Sequence, residues 1–487
     1  MLLLIVGANL AQASILYRIR FGYYPDKIRT VFDFDGAFSY DTDESKEKII
    51  LRLKNTIASP DIQSYVELND LIVRYLEVEK DGQDIKITIP LAEPIDYNIF
   101  YLNDPPRLVV DFGREYLNIV SGGTIADGVE FLKVKKGLAA GPVTASVLRV
   151  DLNKARVRPA LAQAQTPNIV ESFVNLLTPW VQRGSTSHFY LDKVSNIVAE
   201  QQALAGINGT YFASNGRPLG ALMIDQELLS YSIHDRTAFF LDEANQPYID
   251  NLFISAYFTI KNGTRYKITG INQQRSSNDV IMYTPVWGEK TGTNNNGIEV
   301  VVANGKISQI NVSDSKIPED GYVLSANGPA IEVLADNLRL GDKLTTQIKI
   351  VPYNTSPEKI IHLISGGPRL LKTGRTYISK HEEKFQTDIA KGRAARTAVG
   401  ITKEKELLLV TVDGPPRRQQ VRKDAKISIG VTLEELSNLL LSLGAYEAMN
   451  LDGGSSSTMI INNRLANIPT SGYQRRVSNA IIIRPEL

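Results

Sequence analysis

The chain has 487 residues, 43% of them hydrophobic and 22% charged, which describes an ordered protein too long for one ordinary core and sets two or three domains as the expectation. Its 54 basic and 53 acidic residues nearly cancel, so nucleic-acid binding through bulk charge is excluded and any basic patch must be local. The absence of cysteine excludes disulfides, thiolate zinc sites and cysteine nucleophiles, and His188, His234, His362 and His381 lack the spacing of a histidine-built metal site.

Leu2 to Leu10 form a short apolar run followed by Ala11-Gln12-Ala13, a small-x-small cleavage pattern, so residues 1–13 are expected to be a signal peptide. The run is too short to span a bilayer, and no later segment reads as transmembrane. From residue 14 to 120 the sequence alternates with a period of two. Arg29 to Asp35, Ile49 to Lys54, Asp84 to Pro90 and Arg107 to Phe112 are the expected strands. Residues 121 to 141 turn glycine-rich, as at a boundary, and Ala145 to Leu152 begins the strands of a second domain, 121–487. The fold class expected is mixed, α+β or α/β, with an N-terminal β-rich, sandwich-like module followed by a larger mixed-sheet catalytic domain.

Ala203 to Ile207 reads as a strand running into the turn Asn208-Gly209-Thr210-Tyr211-Phe212. Leu407 to Val412 is apolar throughout, as in a strand buried on both faces, and ends at the turn Asp413-Gly414-Pro415. Thr432-Leu433-Glu434-Glu435 is a capping box that starts a helix, with Leu433, Leu436, Leu440 and Leu443 on one face and Gly444 at its end. Ala448 to Leu451 then enters the sheet, placing Asp452 at a strand's carboxyl end, where α/β sheets gather ligands.

The segment Asn450-Leu451-Asp452-Gly453-Gly454-Ser455-Ser456-Ser457-Thr458 sets one carboxylate among flexible backbone and hydroxyl donors. It has neither the P-loop nor the dinucleotide fingerprint, and it lacks the Gly-x-Ser-x-Gly elbow of a serine hydrolase. Arginines offer a better lead. Arg369 follows a glycine turn at Gly366-Gly367, Arg393 and Arg396 flank an alanine pair, and Arg475 and Arg476 precede the last strand. Guanidinium groups grip phosphate oxygens in pairs, and glycine turns expose backbone donors. For any one of these arginines a solvated surface position is the plain alternative, and Asn208 could equally be a turn former satisfying local backbone.

Asp104-Pro105-Pro106-Arg107-Leu108-Val109-Val110-Asp111-Phe112-Gly113 gives the first module a resemblance to the AMIN-type domain of bacterial envelope proteins, which implies a cell-wall or periplasmic location. Five ordered motifs, Ile207 to Phe212, Ser365 to Leu371, Arg396 to Gly400, Val412 to Gly414 and Asn450 to Thr458, resemble those of the phosphodiester glycosidase family over roughly residues 121–487. The resemblance implies a bacterial hydrolase cleaving the bond between an anomeric carbon and a phosphodiester oxygen, with an envelope or exopolysaccharide glycan as substrate. Carried onto matching positions, it makes Asp452, Asp413 and Arg396 catalytic. Asn208, Gly367, Arg369, Gly453, Gly454, Ser456, Thr458 and Arg475 would bind substrate. Asp452 could be nucleophile, base or electrostatic stabiliser, and Asp413 could be only a turn residue. No metal site and no cofactor is expected, although oxygen ligands for Ca²⁺ are plentiful. The partners implied are a sugar-phosphate or glycan and an envelope polymer such as peptidoglycan, with no nucleic acid. A binding protein for anionic glycans, without catalysis, is the alternative class.

Overall fold

The computed structural model describes residues 13–68, 70, 72–163, 189–386, 392–415 and 428–485. The apolar run expected to form a signal peptide lies outside them, as does His188. The chain divides into two compact units. One takes the residues up to Val120 with Val134–Val143, and the other takes Ser121–Lys133 with Thr144 onward.

The first unit holds two five-stranded sheets around one core. In the first sheet the spatial order is Thr56–Ala58, Ser14–Tyr23, Lys27–Phe34, Pro106–Gly113, Tyr97–Asn103, and in the second it is Ser39–Glu44, Lys48–Lys54, Asp84–Pro90, Tyr75–Asp81, Tyr65–Glu67. The alternation in the sequence is what builds this core. Every second side chain of Asp84–Pro90 is buried, and register sets Ile49 opposite Ile89, Leu51 opposite Ile87 and Leu53 opposite Ile85. Leu16, Phe32, Phe34, Leu108, Val110 and Phe112 of the first sheet complete the core. Between strands, Arg29 holds Asp111 in a two-bond fork at 2.6 and 2.7 Å, and Arg20 holds Asp33 in the same way.

The second unit is also strongly β-rich. Its central antiparallel strands run Leu407–Val412, Arg396–Thr402, Ala445–Asn450, Arg369–Lys372, with residues 145–150 paired to the outer side of Leu407–Val412. All six residues of Leu407–Val412 are buried, as its composition required. A second sheet, Ala155–Leu161, Asn479–Pro485, Ala205–Asn208, Met459–Ile461, Arg464–Leu465, shares a core with the first through Leu148, Ile207, Val399, Leu409, Met449 and Ile481. Two further sheets, one containing Thr237–Asp242 and Ile360–Ser365, the other Val280–Tyr283 and Ile298–Ala303, form around their own apolar cluster. Helix is confined to three α-helices among the described residues: Val194–Glu200, Ala330–Asn337 and Leu433–Ser442. None is long and apolar enough to cross a membrane.

One sequence expectation needs correcting. Asp452 does follow a buried strand, Ala445–Asn450, but both neighbours of that strand run antiparallel to it. The rule that ligands collect at carboxyl ends belongs to parallel sheets and does not place this site. What places Asp452 is a hydrogen-bonded loop between the two sheets.

The helix Leu433–Ser442 begins at the expected capping box. Thr432 Oγ1 accepts from the Glu435 amide at 3.2 Å, while the Glu435 carboxylate accepts from the Thr432 amide at 2.9 Å. Leu433, Leu436, Leu439 and Leu440 bury the inner face, and Gly444 follows at a φ of 91°. Replacing Thr432 with Ala removes one of these bonds. It should lower stability by about 1 kcal/mol, read as a reduced urea midpoint with an unchanged slope; an unaltered midpoint would show that the cap contributes nothing here.

Candidate functional site

The site is built around Asn208, the last residue of its strand and fully buried. Its Nδ2 donates to the Asp452 carbonyl at 2.6 Å. Its Oδ1 accepts from Thr397 Oγ1 at 2.8 Å and from the Thr458 amide at 3.1 Å. The Asp452 amide in turn donates to the Gly209 carbonyl at 3.2 Å. One amide therefore fixes both ends of the 452–458 loop against two sheets. Asn208 was expected to orient a sugar, but its side chain has no exposed surface and its amide is engaged at both ends. It positions Asp452 instead.

Asp452 is partly exposed. Burial pushes its carboxyl up to about 6, against the lowering effects of a Ser456 hydroxyl bond, the Arg475 charge and the Gly453 amide. The buried Ser456 Oγ accepts from Arg475 Nη1 at 3.0 Å, so carboxylate, hydroxyl and guanidinium form a relay. The Arg475 guanidinium lies 4.8 Å from the Phe212 ring centroid and is itself exposed. Ser456 and Thr458 were also expected to touch a sugar, yet both are wholly buried. Ser456 tunes Asp452, and Thr458 anchors the loop.

Tyr211 was quoted in a motif but given no role, and the structure places it against Asp452. Its hydroxyl donates to the Gly367 carbonyl at 2.9 Å and accepts from Asn450 Nδ2 at 2.8 Å. Burial and the Asp452 charge raise its pKa, opposed by Arg396 and Arg236, so the phenol stays neutral. Arg236 had no sequence signal at all. It stacks 4.1 Å from the Phe385 ring centroid and donates to the Glu383 carbonyl at 3.4 Å; burial lowers its pKa. Arg396 is 5% exposed, donating to the Gly392 carbonyl at 2.6 Å and the Val431 carbonyl at 3.4 Å. Arg236, Arg396 and Arg475 thus set positive charge around Tyr211 and Asp452.

Other expected ligands lie elsewhere or are engaged. Arg369 is buried between Glu447, at 2.5 Å, and Asp250, at 3.4 Å, so its charge is answered by protein carboxylates and not offered to a phosphate. Arg393 holds Glu435 of the capping box and the Gly430 carbonyl. The Gly367 and Gly454 amides, expected to face an anion, donate to the Asn450 carbonyl at 2.7 Å and the Ala395 carbonyl at 2.8 Å. Gly367 has another reason to lack a side chain. Its φ is 102°, and an added Cβ would run into the Glu383 carboxylate.

Asp413 is 3% exposed and has no hydrogen bond to Asp452. It accepts from the Ile468 amide at 3.0 Å and lies 3.9 Å from Lys133, with burial raising its pKa. It also bonds Asn467, which fixes Ser457 and Met459. As placed, Asp413 braces the loop through Ile468 and Asn467. Among the described residues no group of three or more acidic or histidine side chains is arranged to hold a metal ion.

The partly exposed surface at the site is therefore Tyr211, Phe212, Arg236, Asp452, Ser455 and Arg475. Two arginines placed over aromatic rings, together with a carboxyl whose pKa is raised by burial, suit a small anion joined to a polar body.

Residues 296–484 match the family model described as phosphodiester glycosidase. The curated N-acetylglucosamine-1-phosphodiester alpha-N-acetylglucosaminidase of Bos taurus is 31% identical over 139 residues, which cover 25% of this chain and 24% of that protein. The chain thus spans about a quarter of that relative's length. Two solved structures share the fold. A hypothetical protein from Synechocystis aligns at a TM-score of 0.61 and 21% identity, covering 98% of this chain and 81% of its own. A Burkholderia pseudomallei protein aligns at 0.56 and 18%, covering 93% and 97%. The matched residues 296–484 carry Arg396, Asp452, Ser456 and Arg475, so these members of the candidate site fall within the segment that is similar to the phosphodiester glycosidase family.

Proposed function

We propose that this protein hydrolyses a sugar-1-phosphodiester, with Asp452 as the carboxylate beside the anomeric carbon and Arg475 and Arg236 holding the phosphate. The observation that carries this is the Asp452–Ser456–Arg475 relay, in which one hydroxyl links a carboxyl raised to about 6 with an exposed guanidinium. The family match over 296–484 and the activity named for the bovine relative support the substrate class.

In the proposed reaction the bond from the anomeric carbon to the phosphodiester oxygen breaks, and water supplies hydroxide to the carbon. The products are the free sugar, a phosphomonoester and one proton. Positive charge develops on the sugar ring while negative charge develops on the leaving oxygen. Asp452 answers the first, and the stacked arginines answer the second. A phosphate leaves readily once neutralised, which is why the site can work without a second carboxylate facing the bond. Tyr211, a neutral donor and acceptor fixed by Asn450 and Gly367, keeps the floor beside Asp452 rigid. The first unit is assigned to an envelope polymer, consistent with its AMIN-like sequence, and the protein to the cell envelope.

Asp452→Asn should lower turnover of a sugar-1-phosphodiester about 10³-fold while the far-ultraviolet spectrum stays unchanged; unaltered turnover sinks the assignment. Since the carboxylate form is the working one, kcat/KM of the wild type should rise with pH through about 6, and a profile falling there would make Asp452 an acid instead. Stability runs the other way. A carboxyl raised above its unfolded value of 3.8 binds its proton more tightly in the folded chain, so stability falls as pH climbs from about 4 past 6. Asp452→Asn should flatten that slope and gain about 1 to 3 kcal/mol at neutral pH, measured by urea unfolding across pH. Full-length protein should also co-sediment with purified peptidoglycan, and no enrichment over an albumin control removes the envelope assignment.

A further inference from the structure

We propose that the cleft lined by Asn215, Gln274, Arg275, Trp287, Thr293 and Asn294 is a second glycosyl subsite, taking an uncharged sugar unit of the substrate beyond the scissile bond; this rests on the glycosidase reading above. The cleft measures about 250 Å³, a volume suited to one monosaccharide.

Its position follows from the hairpin that starts at the catalytic centre. Tyr211 and Phe212 border Asp452 and Arg475; the chain then turns at residues 213–217, with the Gly216 amide donating to the Ala213 carbonyl, and returns through a bridge between Phe212 and Pro218. Asn215, at the tip, is a wall of the cleft, and its Oδ1 is fixed by the Arg217 amide at 3.2 Å. One short segment therefore borders both places.

Electrostatics selects an uncharged occupant. Arg275 is the cation of this wall, and it is already engaged. It donates to Ser325 Oγ at 2.8 Å, to the Ala326 carbonyl at 3.3 Å, and to both the carbonyl and the side-chain oxygen of Asn294 at 2.9 Å. Behind it lies Glu299, fully buried, which accepts from Thr291, Thr293, Ser315 and Ser325 at 2.7 to 3.1 Å. Burial opposes its ionisation, but these donors outweigh burial and hold it charged. A phosphate entering here would meet no spare cation and a fixed anion behind the wall.

What the cleft does offer is amide chemistry on a stiff frame. Gln274 is exposed and has no hydrogen-bond partner among the described residues, and the Asn294 amide nitrogen is likewise unengaged. Trp287 and Tyr283, with ring centroids 5.1 Å apart, supply the apolar part, and the indole donates to the Thr291 carbonyl at 3.0 Å. Amides that can both give and accept, set beside the edge of a buried aromatic pair tilted by 51°, match the hydroxyls of a pyranose. The Glu299 network pre-orders the 291–294 loop, so little entropy is lost on binding.

The test uses the full-length protein and saturation-transfer NMR with the methyl glycosides of N-acetylglucosamine, glucose, mannose and galactose. At least one should bind, and the double variant Gln274→Ala with Asn294→Ala should weaken it about tenfold, equivalent to about 1.4 kcal/mol. Gln274→Trp, which fills the cleft, should abolish it. Neither variant should change cleavage of a minimal methyl sugar-1-phosphodiester. No glycoside binding, binding untouched by both variants, or displacement of the glycoside by inorganic phosphate would each overturn the subsite. Binding here is read without turnover, so an inactive protein that still binds glycoside through Gln274 removes the hydrolase reading and not the cleft.

Discussion

The molecule's candidate site depends on a single buried side-chain amide. Asn208 donates to the Asp452 carbonyl and accepts from Thr397 and Thr458, which joins the end of one sheet to the middle of another and to the loop between them. Losing the amide would leave the Asp452 carbonyl and the Thr458 amide without a partner, while Thr397 would keep its bond to Ser457 Oγ at 3.1 Å. The carboxyl of Asp452 can be held in a strained electrostatic state only because its backbone is fixed this firmly. Asn208, Thr397 and Thr458 hold the loop, while the Asp452 carboxyl stays partly exposed.

Three arginine environments show how the same side chain is given different roles. Arg369 has two carboxylates and is a buried structural cross-link, where removing either partner would strand a charge. Arg396 is buried and donates to the Gly392 and Val431 carbonyl oxygens, which orient it. Arg475 and Arg236 lie over the rings of Phe212 and Phe385 and each donates to one neutral oxygen, Ser456 Oγ and the Glu383 carbonyl respectively. Charge available to a ligand is set by what the protein has already placed around each guanidinium.

Much of the fold was legible because its signals are local. Period-two alternation marked Ile49 to Lys54 and Asp84 to Pro90, unbroken apolar character marked Leu407 to Val412, and the capping box marked the start of Leu433–Ser442. Strand direction was not legible, since pairing is decided by contacts between segments distant in the chain, and the strand leading to Asp452 proved antiparallel to its neighbours. At the site, Asp452 stands in a motif, whereas Arg475 is marked in the sequence only as a cation before the last strand. The burial of Asn208, Ser456 and Thr458 could not be read, because a hydroxyl or amide looks the same in sequence whether it meets a ligand or another strand. Arg236 had nothing around it to mark it; its partner Phe385 lies 149 residues on, and only the fold makes them neighbours.

Asn208 and Asp452 are separated by 244 positions, and the strand Asn479–Pro485 pairs directly with Ala205–Asn208. Ribosomal synthesis therefore releases the amide long before the Asp452 carbonyl it holds, and the strand that seats Asn208 emerges later still. A chain shortened before Asn479 keeps Asn208, Asp452 and Arg475 but lacks the strand that pairs with Ala205–Asn208. The geometry around Asp452 is thus tied by topology to strands far downstream of Asn208.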